Sequence, residues 1–331
     1  MKKIGLFFFI CTVCIKSFAQ QPLDTLSYLQ NNKNIYGLIV KQNNTVLYDQ
    51  YFNHYNSDSL FNDQSLTKNV IAILIGIAID KGFIPSVDEK IADYLPELKN
   101  DSDARKQNVT IHDIMNQASG LYHENLERLD LFLKLPDPSA YTLQQPMTAS
   151  PGTEWHYNNA ATHLLSVILT KATGMNTYSF AQKMLFQPLG ITHTDWMKMA
   201  DGYYDGSGLL SMRLNTKALI KIGELLLNKG VYNGKQIVAE SWVQQLLTPH
   251  KTYRSYWGFP QSDYALTFYH FTYNNTKIMY GMGWGGQFIV IIPSLNAVIA
   301  INQNIADANA INQSIAFQQK IFPAIFSMLK K

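Results

Sequence analysis

The chain has 331 residues, 47% of them hydrophobic, with 27 Lys+Arg against 24 Asp+Glu and two cysteines, Cys11 and Cys14. That length suits one large domain or two intimate ones, and so balanced a charge leaves no electrostatic footprint for nucleic acid. Both cysteines fall in an N-terminal segment that reads as a removable leader, which excludes thiol catalysis and a zinc–cysteine site from the rest.

That leader has three parts: Met1-Lys2-Lys3, an apolar stretch from Ile4 to Ile15, and Lys16-Ser17-Phe18-Ala19. A basic start, a short apolar core and small residues at a cleavage point make a secretory signal. Twelve residues are too few to span a bilayer, and no later segment is long and apolar enough to do so. Cleavage is expected after Ala19, giving a periplasmic or secreted protein. Removing Lys2, Lys3 and Lys16, and no acid, leaves 24 charges of each sign.

Residues 35–53 predict a hairpin, two β-rich runs around Gln42-Asn43-Asn44. A long apolar run, Asn69 to Ile79, then predicts a buried helix stopped at Asp80-Lys81-Gly82. From about 85 to 249 the signals are mostly helical. Thr110-Ile111-His112-Asp113 predicts a capping box before a short helix ending at Ser119-Gly120. Further helices are expected at Ala160–Ala172, stopped by Gly174, and at Thr216–Leu227, stopped near Gly230. Strand signals return at Lys277–Tyr280, Gln287–Ile292 and Ala297–Asn302, and a last helix covers about 311–330. Strands, helices, strands and a helix predict an α+β fold. Its antiparallel sheet comes from both ends of the chain, about 30–84 and 250–331, flanked by helices with a mostly helical region inserted between.

Three motifs carry chemistry. Ser65-Leu66-Thr67-Lys68 opens the buried helix, and residues three apart share a face, so hydroxyl and amine can meet. The helix N-terminus has unpaired N–H groups and partial positive charge, which stabilise a serine alkoxide. A desolvated lysine beside it can serve as a base without a Ser-His-Asp triad. Ser-x-x-Lys arises by chance about once in a chain this long, and a second copy, Ser327-Met328-Leu329-Lys330, reads as a solvated chain end. Tyr157-Asn158-Asn159 follows the turn Pro151-Gly152-Thr153 and stands just ahead of a helix. Its tyrosine can take a proton from serine and return it to a leaving group, and Asn159 can hydrogen-bond an acyl amide. Gly281-Met282-Gly283-Trp284-Gly285-Gly286-Gln287 leads into an apolar strand, where glycines let a ligand approach the backbone. There the Gln287 N–H can pair with that of Ser65 as an oxyanion hole.

In this order the motifs resemble the serine beta-lactamase and penicillin-binding-protein superfamily, most closely its class C-like branch of esterases, amidases, DD-peptidases and aminohexanoate-oligomer hydrolases. Asp93-Tyr94-Leu95-Pro96-Glu97, Ser119-Gly120-Leu121 and Pro151-Gly152-Thr153 also resemble that branch, and the likeness runs from about 35 to 303. It implies one hydrolase domain over 20–331, with Ser65 as nucleophile, Lys68 and Tyr157 as the proton-transfer pair, and Asn159 orienting the substrate. Ser65 and Gln287 would supply the oxyanion N–H groups. In one respect the chain departs from the family: the aligned third triplet is Trp284-Gly285-Gly286, where beta-lactamases and DD-peptidases usually begin with lysine. Tryptophan offers no cation to a substrate carboxylate. The expected substrate is therefore a small neutral ester, amide or short peptide rather than a beta-lactam.

Nothing calls for a metal or cofactor: no His-Glu-x-x-His is present. No Gly-x-Ser-x-Gly elbow is present either. The cluster Tyr253, Tyr256, Trp257, Phe259, Tyr264, Phe268 and Tyr269 reads as packing, or as a ligand rim beside the third motif. The alternative to an acyl-enzyme hydrolase is a non-catalytic member of the same fold that binds cell-wall peptide or a beta-lactam.

Overall fold

Asn43 and Asn44 both take left-handed backbone, φ 51° and 61°, the two-residue turn that suits the twist of a tight hairpin. They join β1 (Ile35–Gln42) to β2 (Thr45–Tyr51). The computed structural model describes residues 22–307 and 309–330, so the expected leader lies outside the described residues. After the first helix, α1 (Pro22–Asn31), and the hairpin come the buried helix α2 (Leu66–Asp80), then α3 (Asn159–Thr173) and α4 (Thr216–Leu227). The remaining strands follow: β3 (Tyr253–Arg254), β4 (Asp263–Ala265), β5 (Phe268–Tyr273), β6 (Thr276–Gly283), β7 (Gln287–Ile292) and β8 (Ala297–Gln303). Among the described residues these eight strands form one sheet in the order β2-β1-β8-β7-β6-β5-β4-β3, antiparallel throughout.

The N-terminal hairpin thus pairs with the last strand, Leu38 opposite Ile301 and Val40 opposite Ile299. All of β7 and β8 is buried, whereas most of β2, at the edge, is exposed. Alternate side chains explain the layers. Ile289, Ile291 and Val298 pack with α2 and α4 on one face. Phe288, Val290 and Ile299 pack on the other with Phe317 and Phe322 near the C-terminus. A strand covered on both faces reads as a continuous apolar run, as Phe288–Ile292 does.

Helix α2 is buried from Leu66 to Ala78, as expected of a helix apolar all round. Gly76 lets a neighbouring indole reach it: a Cβ there would lie 2.0 Å from Trp242, whose Nε1–H donates to the Ala72 carbonyl at 3.1 Å. Gly82, at φ 73°, follows the helix end, and Gly174 stops α3 at φ 68°.

Two boundaries differ from expectation. The Thr110 capping box forms, but its helix stops at Met115 rather than near Ser119, because Gln117 turns to φ 60°. The final helix comprises α5 (Ala310–Ala316), a π-turn (Phe317–Ile321) and α6 (Phe322–Met328). Pro323 has no N–H to give the preceding turn, so the helix widens ahead of it.

Candidate active site

Ser65 is presented by a strained bend. The short strand Phe61–Asn62 pairs with Met212–Leu214, and Asn62 Oδ1 accepts both the N–H and the side-chain amide of Gln64, at 3.0 and 2.8 Å. Those bonds hold Gln64 at φ 51°, a left-handed conformation that costs a non-glycine residue about 1–2 kcal/mol. The next residue, Ser65, caps α2. The N–H groups of Leu66, Thr67 and Lys68 close on the carbonyls of Asp63, Gln64 and Ser65 at 3.0–3.1 Å. Among the described residues the Ser65 N–H has no such partner.

Lys68 lies one turn on and is 1% exposed. Its ammonium has three protons and meets three acceptors: Ser65 Oγ at 3.2 Å, Asn159 Oδ1 at 2.6 Å and the Ser207 carbonyl. The Tyr157 ring lies over it, 4.9 Å from centroid to Nζ, and the Tyr157 hydroxyl donates to Ser65 Oγ at 2.7 Å. The structure therefore brings together four of the residues picked out by sequence: Ser65, Lys68, Tyr157 and Asn159.

The Tyr157 loop is tied to the segment that ended its helix early. The Gln117 carbonyl accepts the His156 N–H at 2.9 Å, and the Ala118 carbonyl accepts that of Gly152 at 2.7 Å. Gln117 Oε1 accepts the N–H of Asn158, whose own side chain caps α3 at the Ala161 N–H.

Glu124, which no motif marked, is buried at the start of α3. Its carboxylate accepts the Asn159 side-chain amide at 2.6 Å, the Asn159 N–H at 3.2 Å and the Ala160 N–H at 2.9 Å. A carboxylate suits a helix N-terminus. The loop that offers the Ser207 carbonyl is built on a second buried acid. Asp205 accepts the N–H groups of Ser207, Leu210 and Ser211 at 2.7–2.8 Å. Behind it, His163 Nδ1 accepts the Gly206 N–H at 3.2 Å, and Nε2 faces Asp201 at 2.9 Å. Burial acts to raise the Asp201 carboxyl, but hydrogen bonds and charge from His163, with Ser139 and the Tyr203 N–H, hold it below the usual range.

Strand β6 runs across the other side of Ser65. Added Cβ atoms would come 2.1 Å from Asn69 Oδ1 at Gly281 and 2.5 Å from the Asp63 carbonyl at Gly283, so these glycines let the strand lie on the helix start. The Gly283 carbonyl accepts from Gly286 inside the β6–β7 hairpin. By alternation Met282 therefore points its N–H to the opposite edge. Pairing with β5 ends at Tyr280, because Thr267 instead bonds to Met115 and Asn69. The Gly281–Gly283 edge is open there.

The remaining expected residues lie elsewhere. Gln287 belongs to β7, opposite Gly283. It is fully buried, and its side chain bonds the backbone of Gln303. The expected pairing of its N–H with that of Ser65 gives way to the β6 edge, which adjoins the Ser65 bend. Trp284 stands at the hairpin tip, 50% exposed. Gly286, at φ 84°, abuts the Gln303 side chain. Ser327 Oγ merely donates to the Ala324 carbonyl at 2.7 Å. Beside Tyr157 lies Trp155, with ring centroids 6.3 Å apart, and Tyr256 and Tyr264 pack on Trp155 at 4.9 and 5.7 Å. Burial, then the nearby Tyr157, pushes the Tyr264 and Tyr269 hydroxyls well above the usual range, and Tyr157 is the phenol of this cluster that hydrogen-bonds Ser65.

Comparisons with known proteins agree with this architecture. A penicillin-binding protein from Bacillus halodurans superposes with a TM-score of 0.72 at 18% identity, covering 94% of this chain and 99% of its own. A class C beta-lactamase from Rhodobacter sphaeroides gives 0.67 at 16% identity, over 93% and 99%. A Bacillus anthracis chain named provisionally as a 6-aminohexanoate-dimer hydrolase gives 0.74 at 21%, over 92% and 83%. Penicillin-binding protein 4* of Bacillus subtilis (strain 168) is 28% identical over 149 residues, 42% of this chain but only 31% of that protein's length. The family model described as Beta-lactamase matches residues 32–320, nearly the whole described chain, and the protein belongs to the beta-lactamase family.

Proposed function

We propose that this protein is an exported serine hydrolase that works through a Ser65 acyl-enzyme on a small ester, amide or short peptide, and that it is an esterase or amidase more than a true beta-lactamase. The observation that carries the reading is Ser65 Oγ held between the Tyr157 hydroxyl at 2.7 Å and the Lys68 ammonium at 3.2 Å. Once the Tyr157 hydroxyl has given up its proton beside the Lys68 ammonium, Ser65 Oγ attacks the substrate carbonyl and passes its own proton to the Tyr157 oxygen. The oxyanion forms against the Ser65 N–H and the open β6 edge, where the Met282 N–H is the second donor we assign. Tyr157 returns the proton to the leaving oxygen or nitrogen, and water then releases the acid by the same steps.

The preference for neutral substrates rests on what lines β6. Gly281 and Gly283, which lie against the start of α2 and the bend before it, have no side chain, and Trp284 is half exposed at the hairpin tip. A cation meeting a substrate carboxylate contributes roughly 1.5–3 kcal/mol, and none of these three positions supplies one. Export is supported by the leader sequence alone.

Intact-mass analysis with a fluorophosphonate probe tests the nucleophile. Wild type and Ser327→Ala should gain one adduct and Ser65→Ala none; labelling that survives Ser65→Ala overturns the assignment, and an unlabelled wild type favours the non-catalytic binder. A panel of p-nitrophenyl butyrate, D-amino-acid amides and nitrocefin tests preference. Higher kcat/KM on nitrocefin than on the ester would reverse that part of the reading.

A further inference from the structure

Tyr157 reaches Ser65 Oγ from a loop, and a side chain on a loop is only as well aimed as the backbone around it. The residues on both sides of Tyr157 are held by one other residue, Gln117. Its carbonyl accepts the His156 N–H at 2.9 Å, and its Oε1 accepts the Asn158 N–H. The Gln117 amide can face only one way, because a backbone N–H only donates and so must meet the oxygen. Its Nε2 donates to Thr162 Oγ1 at 2.8 Å. Thr162 in turn gives its one hydroxyl proton to the Asn158 carbonyl at 2.5 Å, so its oxygen accepts from Gln117. Gln117, Asn158 and Thr162 thus close a buried ring at the start of α3. Gln117 makes these bonds from a left-handed backbone, φ 60°. That conformation is costly for a non-glycine residue and persists only where the surroundings impose it.

We propose that Gln117 is the positioning residue for Tyr157. By gripping the backbone before and after the phenol, it fixes the approach of the hydroxyl to Ser65 Oγ and so the geometry of proton transfer. This inference rests on the Ser65 acyl-enzyme reading and adds to it a residue that acts only through another.

The test is a double-mutant cycle on p-nitrophenyl butyrate, corrected for spontaneous hydrolysis. Gln117→Met fills a similar space and can make neither side-chain bond. It should lower kcat by about tenfold or more and leave KM within about twofold, since small misplacements at a reacting centre are costly. The loss should be carried by the phenol. In a Tyr157→Phe background the same change should alter kcat by less than about twofold, because groups that work through one another are non-additive. Thermal melts of all four proteins report folding separately. A merely structural role for Gln117 would lower kcat by the same factor in both backgrounds, and that result overturns the proposal. Wild-type kcat in a folded Gln117→Met enzyme also overturns it. If Gln117→Met does not fold, Thr162→Val decides, since it keeps the shape and takes the acceptor from the Gln117 amide. It should lower kcat about threefold or more with Tyr157 present and not with Phe in its place; equal losses, or none, overturn the proposal. Failure of the underlying reading is separate and shows as a Ser65 that no fluorophosphonate labels.

Discussion

At the scale of single residues, Lys68 and Tyr157 touch the same oxygen and each other. Groups that act as one unit are strongly non-additive when removed. Lys68→Ala, Tyr157→Phe and the double variant should each lose at least about 10²-fold in kcat, the lower end for general acid–base catalysis, and the double should lose little more than either single. Steady-state kinetics on an ester checks this, and full additivity would mean that the two act separately. These residues were legible because spacing along one helix and one loop marks them. Glu124 and the Ser207 carbonyl were not. A lone acid in a loop has no periodicity, and a main-chain oxygen has no residue type at all. Gln287 misled because the glycine run shows that backbone is accessible without showing which side of the hairpin faces the helix.

Among the elements, the 205–211 loop matters most to the geometry of the site. Gly208 sits at φ 86°, and a Cβ there would lie 2.4 Å from the Gln64 carbonyl and 2.9 Å from Ser65 Cα. Gly208→Ala should push the Ser65 bend away from Tyr157 and lower kcat by about tenfold or more, since small misplacements at a reacting centre are costly. Gly202 is the control. It has φ 87° with nothing within 4 Å of an added Cβ, so Gly202→Ala should cost about 1–2 kcal/mol of stability and leave kcat unchanged. Equal kcat in the two variants would show that the loop does not set the nucleophile. Most elements were legible from stops and caps, as Gly174 and the Thr110 box illustrate. The early end at Met115 was not, because Gln117 leaves the helix to serve bonds with Asn158, His156 and Thr162 that lie dozens of residues away.

For the molecule as a whole, a buried polar network joins distant parts of the chain beneath the site. Asp63 accepts from Asn302 at 3.3 Å, and Asn302 also bonds Thr216 at 2.8 Å and Gln287 at 3.2 Å. Burial raises the Asp63 carboxyl well above its usual 3.8, with the Asn302 and Leu214 bonds only partly offsetting it. Between the usual value and the raised one, the folded chain keeps a proton that the unfolded chain has lost, so this group lowers stability as pH rises. Asp63→Asn keeps the shape and cannot ionise. Its Tm should exceed that of wild type by more at about pH 8 than at about pH 4, which thermal melts across that range measure. A constant difference would mean that Asp63 is not the titrating group. The sheet drawn from both chain ends was legible in the order of strand and helix signals. This network was not, because Asp63, Thr216, Gln287 and Asn302 share no local pattern.

The pairing of β1 with β8 also has a consequence in time. The ribosome finishes Ile35–Gln42 some 250 residues before Ala297–Gln303. Until that last strand emerges, β1 has only β2 beside it, and the sheet face that covers α2 is incomplete. Folding is therefore expected to wait for the end of synthesis, slowed by the long loop that must close. A nascent chain arrested before Ala297 should be degraded by a protease that spares the full-length protein.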